Sequence, residues 1–352
     1  MNPVIVADDR IPFLKGVLEP YCTVRYCPGG KITSAEVRDA DALIVRTRTR
    51  CDEALLRDSK VRMIASATIG YDHLDTAYLE KRNIMWRNAP GCNASSVRQY
   101  IAGALLGIAA RHRLTLRGMT LGVVGVGHVG KLVAELGEKW GMRVLRNDPP
   151  RADREGMAGF CSFEESVREA DFLTFHVPLD ETTRGMVQTD QIGQMKPSAF
   201  LLNASRGEVV SGTALKAALL VRRIAGAVLD VWENEPDIDR ELLQLLEYGT
   251  PHIAGYSADG KANGTAACVR NAAEFFGIEE LRDWTPGTLP APPEVREPET
   301  GLPEEERRRR ILKQFYDIAE DDSALRQAPD TFEALRGSCR IRREPAEALL
   351  WQ

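Results

Sequence analysis

The sequence predicts an α/β protein of two doubly wound parallel-sheet domains followed by a small C-terminal α+β unit, and three observations carry that reading. Short apolar runs alternate with segments of helical spacing in two successive series. A glycine fingerprint, GVGHVG over 125–130, stands between an apolar run and a helical segment. After Trp284 the alternation ends, and proline, glycine and acidic residues take over.

In the first series PVIVAD, ADALIVR and RMIASA are continuous apolar runs, the pattern of parallel strands buried on both faces, and they define a βα-repeating unit over 1–92. In the second series LGVVGVG, RVLRND, FLTFHVP, AFLLNAS and IAGAVLDV are strands of another sheet, in a domain set at 93–255. Two long helical segments flank it. SSVRQYIAGALLGIAARH leads in, and GKANGTAACVRNAAEFFGI leads out, returning 256–284 to the first domain. The third unit is assigned to 285–352: TPGTLPAPPEVREPETGLPEEE is a linker or surface arm, after which Ile311, Leu312, Phe315 and Ile318 fall at helical spacing. The four arginines 307–310 read as a solvated helix start rather than a nucleic-acid patch.

Composition bounds the function. With 352 residues, 43% hydrophobic and 28% charged, the chain has material for two or three cores. A net charge of −5 disfavours general polyanion binding, so no nucleic-acid partner is expected. No apolar run reaches about 18 residues, which argues against a membrane span. MNPVIVADD lacks the basic start and long apolar stretch of a signal peptide, which predicts a cytoplasmic protein. Seven scattered cysteines without CxxC spacing fit a reducing compartment and argue against a structural metal.

The fingerprint fits dinucleotide binding. Gly125 suits the tight turn, Gly127 the close approach of a pyrophosphate and Gly130 the packing of helix on strand, while His128 and Val129 open the helix whose N-terminus faces the phosphates. Asp148 closes the next strand about 20 residues on. A carboxylate there accepts hydrogen bonds from ribose hydroxyls and repels a 2′-phosphate, so the expected cofactor is NAD. Arg151 and Arg154, close behind, are the residues that would favour NADP instead.

Three further segments supply chemistry. Arg206 follows the strand AFLLNAS, at the carboxyl edge of the sheet, and its planar fork suits bidentate capture of a carboxylate. Asp230 and Glu235 are placed in the same way after IAGAVL. His252, in TPHIAGY, is a suitable base for a hydroxyl proton as hydride leaves, and a neighbouring carboxylate would stabilise its imidazolium form. Spacing alone does not bring them together. His73, His112 and His176 read as structural, and His128 contributes mainly backbone.

These residues resemble the D-isomer-specific 2-hydroxyacid dehydrogenases. ATIGYDHLD (67–75), APGCNASSV (89–97), GVVGVGHVG, LTFHVPL, NASRGEVV and LDVWENEP carry the general likeness. DPPRADR (148–154) and HIAGYSADGKANGT point to a subgroup that oxidises a phosphorylated hydroxy acid, 4-phospho-D-erythronate, at C2 in vitamin B6 synthesis. The resemblance implies a substrate or lid domain, a Rossmann NAD domain and a homodimer formed through the segment after 285. It implies that Arg206 holds the substrate carboxylate, that Glu235 orients and charges His252, and that His252 carries the proton. It further implies NAD contacts at His128, Val129, Asp148, Val177, Ala204, Ser205, Arg206, Asp230 and Gly255, the nicotinamide carboxamide falling to Asp230. Substrate contacts are implied at Thr47, Thr68 and Tyr256.

A phosphorylated substrate needs cations beyond Arg206, and Arg46, Arg48 and Arg50 are the local candidates, since alternation in an extended segment puts all three on one face. Arg46 or Arg48 is the expected phosphate ligand. Two departures from the family stand out: Gln99 replaces an acidic residue, and the chain ends at Trp351-Gln352, earlier than a full dimerisation domain requires. The rival readings are a phosphoglycerate or glyoxylate/hydroxypyruvate dehydrogenase, and an NAD-sensing corepressor-like module with no catalysis. The tail shows neither a βαββαβ regulatory pattern nor a disordered recruiting segment, which favours the first reading.

Overall fold

The computed structural model describes residues 2–350, so Trp351 and Gln352 lie outside the described residues. Two compact units result. One runs to Asn93 and takes in Ser257–Pro290; the other spans Ala94–Tyr256 and continues from Ala291.

The first unit is a five-stranded parallel sheet in the order β2-β1-β3-β4-β5, with β1 Val4–Asp8, β2 Thr23–Cys27, β3 Ala42–Val45, β4 Met63–Ser66 and β5 Met85–Arg87. Period-two alternation divides its side chains between two cores. Ile5, Ala7, Ile44, Met63 and Ala65 meet Cys268, Val269, Ala272 and Ala273 of the helix Ala258–Phe276 on one face. Val6, Leu43, Val45 and Ile64 meet Val37, Leu56 and Leu79 on the other. The three central strands are those legible as apolar runs; β2 and β5 are edge strands, partly exposed, and carry no such run.

The second unit holds a six-stranded parallel sheet in the order β11-β10-β9-β8-β6-β7. Its strands are β6 Thr120–Val124, β7 Arg143–Asn147, β8 Phe172–Phe175, β9 Phe200–Asn203, β10 Gly226–Leu229 and the two-residue β11 Tyr248–Gly249. Since β7 and β8 flank β6 on opposite sides, the winding reverses there, and the crevice beyond the carboxyl ends of β6 and β8 is the place where such sheets bind ligands. The helices Ala94–His112 and His128–Lys139 bury Ile101, Leu105, Ile108, Val133 and Leu136 on one face with Leu121, Val123 and Phe200.

The C-terminal segment groups with the nucleotide unit, and its named elements are helices among the described residues. Ile311, Leu312 and Ile318 join the core beneath Ala94–His112, while Leu325 and Phe332 join the opposite core. The arginines 307–310 are solvated only in part, with Arg307 and Arg310 exposed at the start of the helix Glu304–Phe315. Arg308 is buried, paired with Glu304 and stacked 5.3 Å over the Trp140 ring, and Arg307, Arg309 and Arg310 pair with Glu297 and Glu306.

Among the described residues no helix is long and apolar enough to cross a membrane, and no group of His, Cys, Asp and Glu could hold a metal.

Gly264 approaches backbone closely in the first unit, since a Cβ there would lie 2.6 Å from the Ala67 carbonyl oxygen. Backbone cannot yield as a side chain can, so Gly264→Ala should destabilise by about 1–3 kcal/mol, the range for overpacking. A thermal melt with an unchanged midpoint would refute this contact.

Candidate active site

Gly125 takes φ 83, in the left-handed region, and a Cβ on it would lie 2.6 Å from the His176 carbonyl oxygen and 2.8 Å from Val177 Cγ1. Only glycine fits that turn. A Cβ on Gly130 would strike the Gly125 carbonyl oxygen, whereas a Cβ on Gly127 would meet nothing within 4 Å. The first contact seals helix onto strand, and the second leaves the N-cap of His128–Lys139 open to a phosphate. His128 is exposed there, with Val129 half-buried.

Asp148 ties the turn to the next strand. Its Oδ2 accepts from the Val126 amide at 2.8 Å and its Oδ1 from the Arg151 amide at 3.0 Å, which caps the short helix Pro149–Glu155. Arg151 is committed to Glu155 and to the Val126 carbonyl, so it is ill placed to take a 2′-phosphate. That favours NAD.

Arg206 stands on the loop after β9, held by Asn203. The Asn203 side chain accepts from the Ser205 amide and hydroxyl at 3.0 and 2.8 Å and donates to the Arg206 carbonyl at 2.8 Å. Ala204 and Arg206 are half-buried, and Ser205 is buried. Gly207 packs against the next loop so closely that a Cβ would overlap the backbone of Trp232 and Glu233. This contact sets the Arg206 loop against the loop bearing Glu235.

Glu235 and His252 meet directly, Oε2 to Nδ1 at 2.7 Å, while Glu235 Oε1 accepts from the Trp232 amide at 2.9 Å. With a carboxylate as partner, Nδ1 carries the proton and Nε2 is left as the basic nitrogen. Burial acts to raise the Glu235 carboxyl, but the hydrogen bond and charge of His252 and the Trp232 amide outweigh it and hold its pKa below the usual range. His252 itself takes φ 57, an uncommon conformation for a residue with a Cβ.

Asp230, at the end of β10, is 1% exposed and holds the turn that carries His252. Its Oδ1 accepts from Thr250 Oγ1 and the Ile253 amide, both at 2.7 Å; its Oδ2 accepts from the Ala254 amide at 2.9 Å; its carbonyl accepts from the His252 amide at 2.7 Å. Burial pushes its carboxyl pKa up, against the lowering pull of His252 and these hydrogen bonds. The Tyr100 hydroxyl, fully buried, lies 2.7 Å from Thr250 Oγ1 and extends the network into the core. Sequence reading missed this positioning role of Asp230, and with it Asn203, Thr250 and Tyr100. Asn203 left a signal, a polar residue closing an apolar strand; Tyr100 left none.

Thr47, Arg46, Arg48 and Thr68 belong to the first unit, whereas Tyr256 and Gly255 belong to the second. The expected alternation of Arg46, Arg48 and Arg50 fails because β3 stops at Val45 and the chain turns at Thr47-Arg48. Arg46 forks onto the buried Asp8 with both bonds at 3.0 Å, and Arg50 pairs with Asp52. Thr68 Oγ1 lies 2.8 Å from Ser66 Oγ, which in turn lies 3.0 Å from His73 Nε2, so His73 supports this loop by its ring. His176 Nε2 contacts Thr174, and His112 pairs with Glu247.

A phosphate-binding turn and an imidazole–carboxylate pair at the carboxyl edge of one parallel sheet define a dinucleotide-dependent dehydrogenase. Comparison with known proteins narrows the class. Residues 96–254 match the D-isomer specific 2-hydroxyacid dehydrogenase, NAD binding domain. The chain is 44% identical to the erythronate-4-phosphate dehydrogenase of Bacteroides fragilis over 97% of both chains. It is 39% identical to that of Escherichia fergusonii, over 97% of this chain and 92% of the relative. Among solved structures it resembles the D-lactate dehydrogenase of Aquifex aeolicus, complexed with NAD and lactic acid, with a TM-score of 0.69 and 26% identity over 83% of this chain and all of the other. The chain belongs to the D-isomer-specific 2-hydroxyacid dehydrogenase family.

Two predictions follow from this geometry. Gly207→Ala should lower kcat by about tenfold or more, because the displaced loop carries Arg206 off its geometry; wild-type steady-state kinetics would refute the contact. Glu235→Gln removes the carboxylate that orients the imidazole and stabilises its cation as it forms, so kcat should fall by about tenfold or more. Wild-type steady-state kinetics for this variant would show that the pair does not act in turnover.

Proposed function

We propose that this protein oxidises 4-phospho-D-erythronate at C2 to (R)-3-hydroxy-2-oxo-4-phosphooxybutanoate, with NAD as hydride acceptor, in pyridoxal 5′-phosphate synthesis. The 2.7 Å contact between His252 and Glu235 carries the hydroxy-acid chemistry. The phosphorylated four-carbon substrate rests on the nearly full-length similarity to erythronate-4-phosphate dehydrogenases. The same family likeness supports a homodimer working in the cytoplasm.

The residues present fit NAD, as the open N-cap at Gly127 and the engaged Arg151 argue. Gly125, Gly127, His128, Val129 and Gly130 would hold its pyrophosphate, Asp148 its ribose, and Val177, Ala204, Ser205, Arg206, Asp230 and Gly255 its nicotinamide half. A carboxylate offers about four lone-pair sites, and Asp230 uses three, which leaves one on Oδ2 for the carboxamide. When bound, NAD supplies the hydride acceptor.

Arg206 grips the substrate carboxylate through its guanidinium fork, which orients C2. His252 Nε2 accepts the C2 hydroxyl proton, and Glu235 stabilises the imidazolium that forms. Thr47, Thr68 and Tyr256 contact the substrate. For its phosphate Arg46 or Arg48 is the candidate, and the Arg46 fork also pairs with Asp8.

The reading is tested by rates of nicotinamide reduction with 4-phosphoerythronate, 3-phosphoglycerate and glycerate, with a 2-oxo acid added to recycle any retained cofactor. The highest kcat/KM is expected for 4-phosphoerythronate. Preference for phosphoglycerate or glycerate would reassign the substrate, and NAD binding without turnover would favour a sensing module. His252→Ala should lower kcat by orders of magnitude with NAD binding intact, because the fingerprint is untouched; near-normal turnover would overturn its role. Arg48→Ala should raise KM for 4-phosphoerythronate by about tenfold or more, the scale of a lost charge-assisted hydrogen bond. An unchanged KM would remove Arg48 from the phosphate site.

A further inference from the structure

The turn that presents His252 is gripped from two sides. Asp230 takes its amides, as described; its carbonyls are taken by an arginine far away in sequence. Arg342 Nη1 donates to the Ile253 carbonyl at 3.2 Å, and Nη2 donates to the carbonyls of Ala254 and, at 3.4 Å, Ser96. Its Nε donates to Gln99 Oε1 at 3.0 Å, and its guanidinium lies 4.0 Å from the centre of the Tyr316 ring. Arg342 is 4% exposed. A side chain so placed spends its whole fork inside the protein, beneath the two residues that follow His252.

Gln99 completes the clamp. Its amide accepts from Arg342 and donates from Nε2 to the Arg343 carbonyl at 3.1 Å. A carboxylate could do the first and not the second, so the neutral residue at 99 is matched to the backbone of this tail segment. Ser96 Oγ adds a 2.7 Å bond to Glu344. Three successive tail residues, Arg342 to Glu344, are thereby joined to Ser96 and Gln99 of the helix just under the turn.

His252 needs such support, because its positive φ is sparsely populated and persists only where the surroundings over-determine it. An imidazole that must meet both Glu235 and a substrate hydroxyl tolerates little displacement. We propose that Arg342, through its hydrogen bonds to the Ile253 and Ala254 carbonyls, is a positioning residue for His252, which makes the C-terminal segment part of the machinery of turnover. This rests on the assignment of His252 as the proton carrier. The acid–base residue and its carboxylate lie within the family-matched region 96–254; the arginine that steadies them lies outside it.

The test compares Arg342→Ala, His252→Ala and the double variant in the full-length protein, reading kcat with 4-phosphoerythronate, NAD binding by fluorescence quenching and folding by circular dichroism. Arg342→Ala should retain NAD binding and lose about a hundredfold in kcat, the scale of a misplacement near 1 Å. In the His252→Ala background the same change should lower the residual rate no further, because its effect passes through the imidazole. Losses that multiply would overturn the proposal, as would a wild-type kcat for folded Arg342→Ala. Should the alanine variant not fold, Arg342→Lys carries the same comparison: it keeps the charge, loses the fork, and should give an intermediate kcat only where His252 is present. Near-normal turnover of His252→Ala would instead overturn the assignment of the imidazole itself.

Discussion

At the end of β10 one buried carboxylate, that of Asp230, accepts from two successive backbone amides and a threonine hydroxyl, and the orientation of His252 depends on it. Burying an ion in this way is unfavourable unless its lone pairs are satisfied. Here the protein satisfies them with the turn itself. Stabilising the buried charge and placing the imidazole are therefore one structural act, and Tyr100 and Thr250 carry that constraint back into the core.

Glu235 is fixed by a second set of bonds. The Trp232 amide holds one carboxylate oxygen while the other faces the imidazole, so the pair forms without either side chain having to search for the other. Asn203 does the corresponding work for Arg206. Each of these residues sits just beyond a strand of one parallel sheet, whose buried β8, β9 and β10 supply a rigid base for polar loops. Loop chemistry on a rigid scaffold is what the parallel sheet provides.

Charge in the tail is managed the same way. Arg308 lies over Trp140 and pairs with Glu304, and Arg342 lies over Tyr316 with its donors on carbonyls. Arginine suits both places because its weakly hydrated plane stacks on aromatic rings while its edge donates. The run RRRR is amphipathic in effect: one member is buried by a ring, and its neighbours are neutralised by glutamates along the same helix and linker.

Much of this was legible in the residues. Central strands announce themselves because burial on both faces demands continuous apolar runs, and the turn at Gly125 does so because only glycine takes its backbone angle beside His176. Edge strands β2 and β5 carry no such demand and left no clear run. The sequence by itself determined the two sheets, the dinucleotide turn and the types of side chain available for hydroxy-acid chemistry, since those follow from local periodicity and from groups that can only do certain things. The tertiary structure alone decided which of them meet: Glu235 with His252, Asp230 with the amides beyond it, Arg46 with Asp8, and Arg342 with carbonyls 88 and 89 residues upstream. Such pairings are set by long-range packing, which brings together side chains whose spacing in the chain carries no record of their contact.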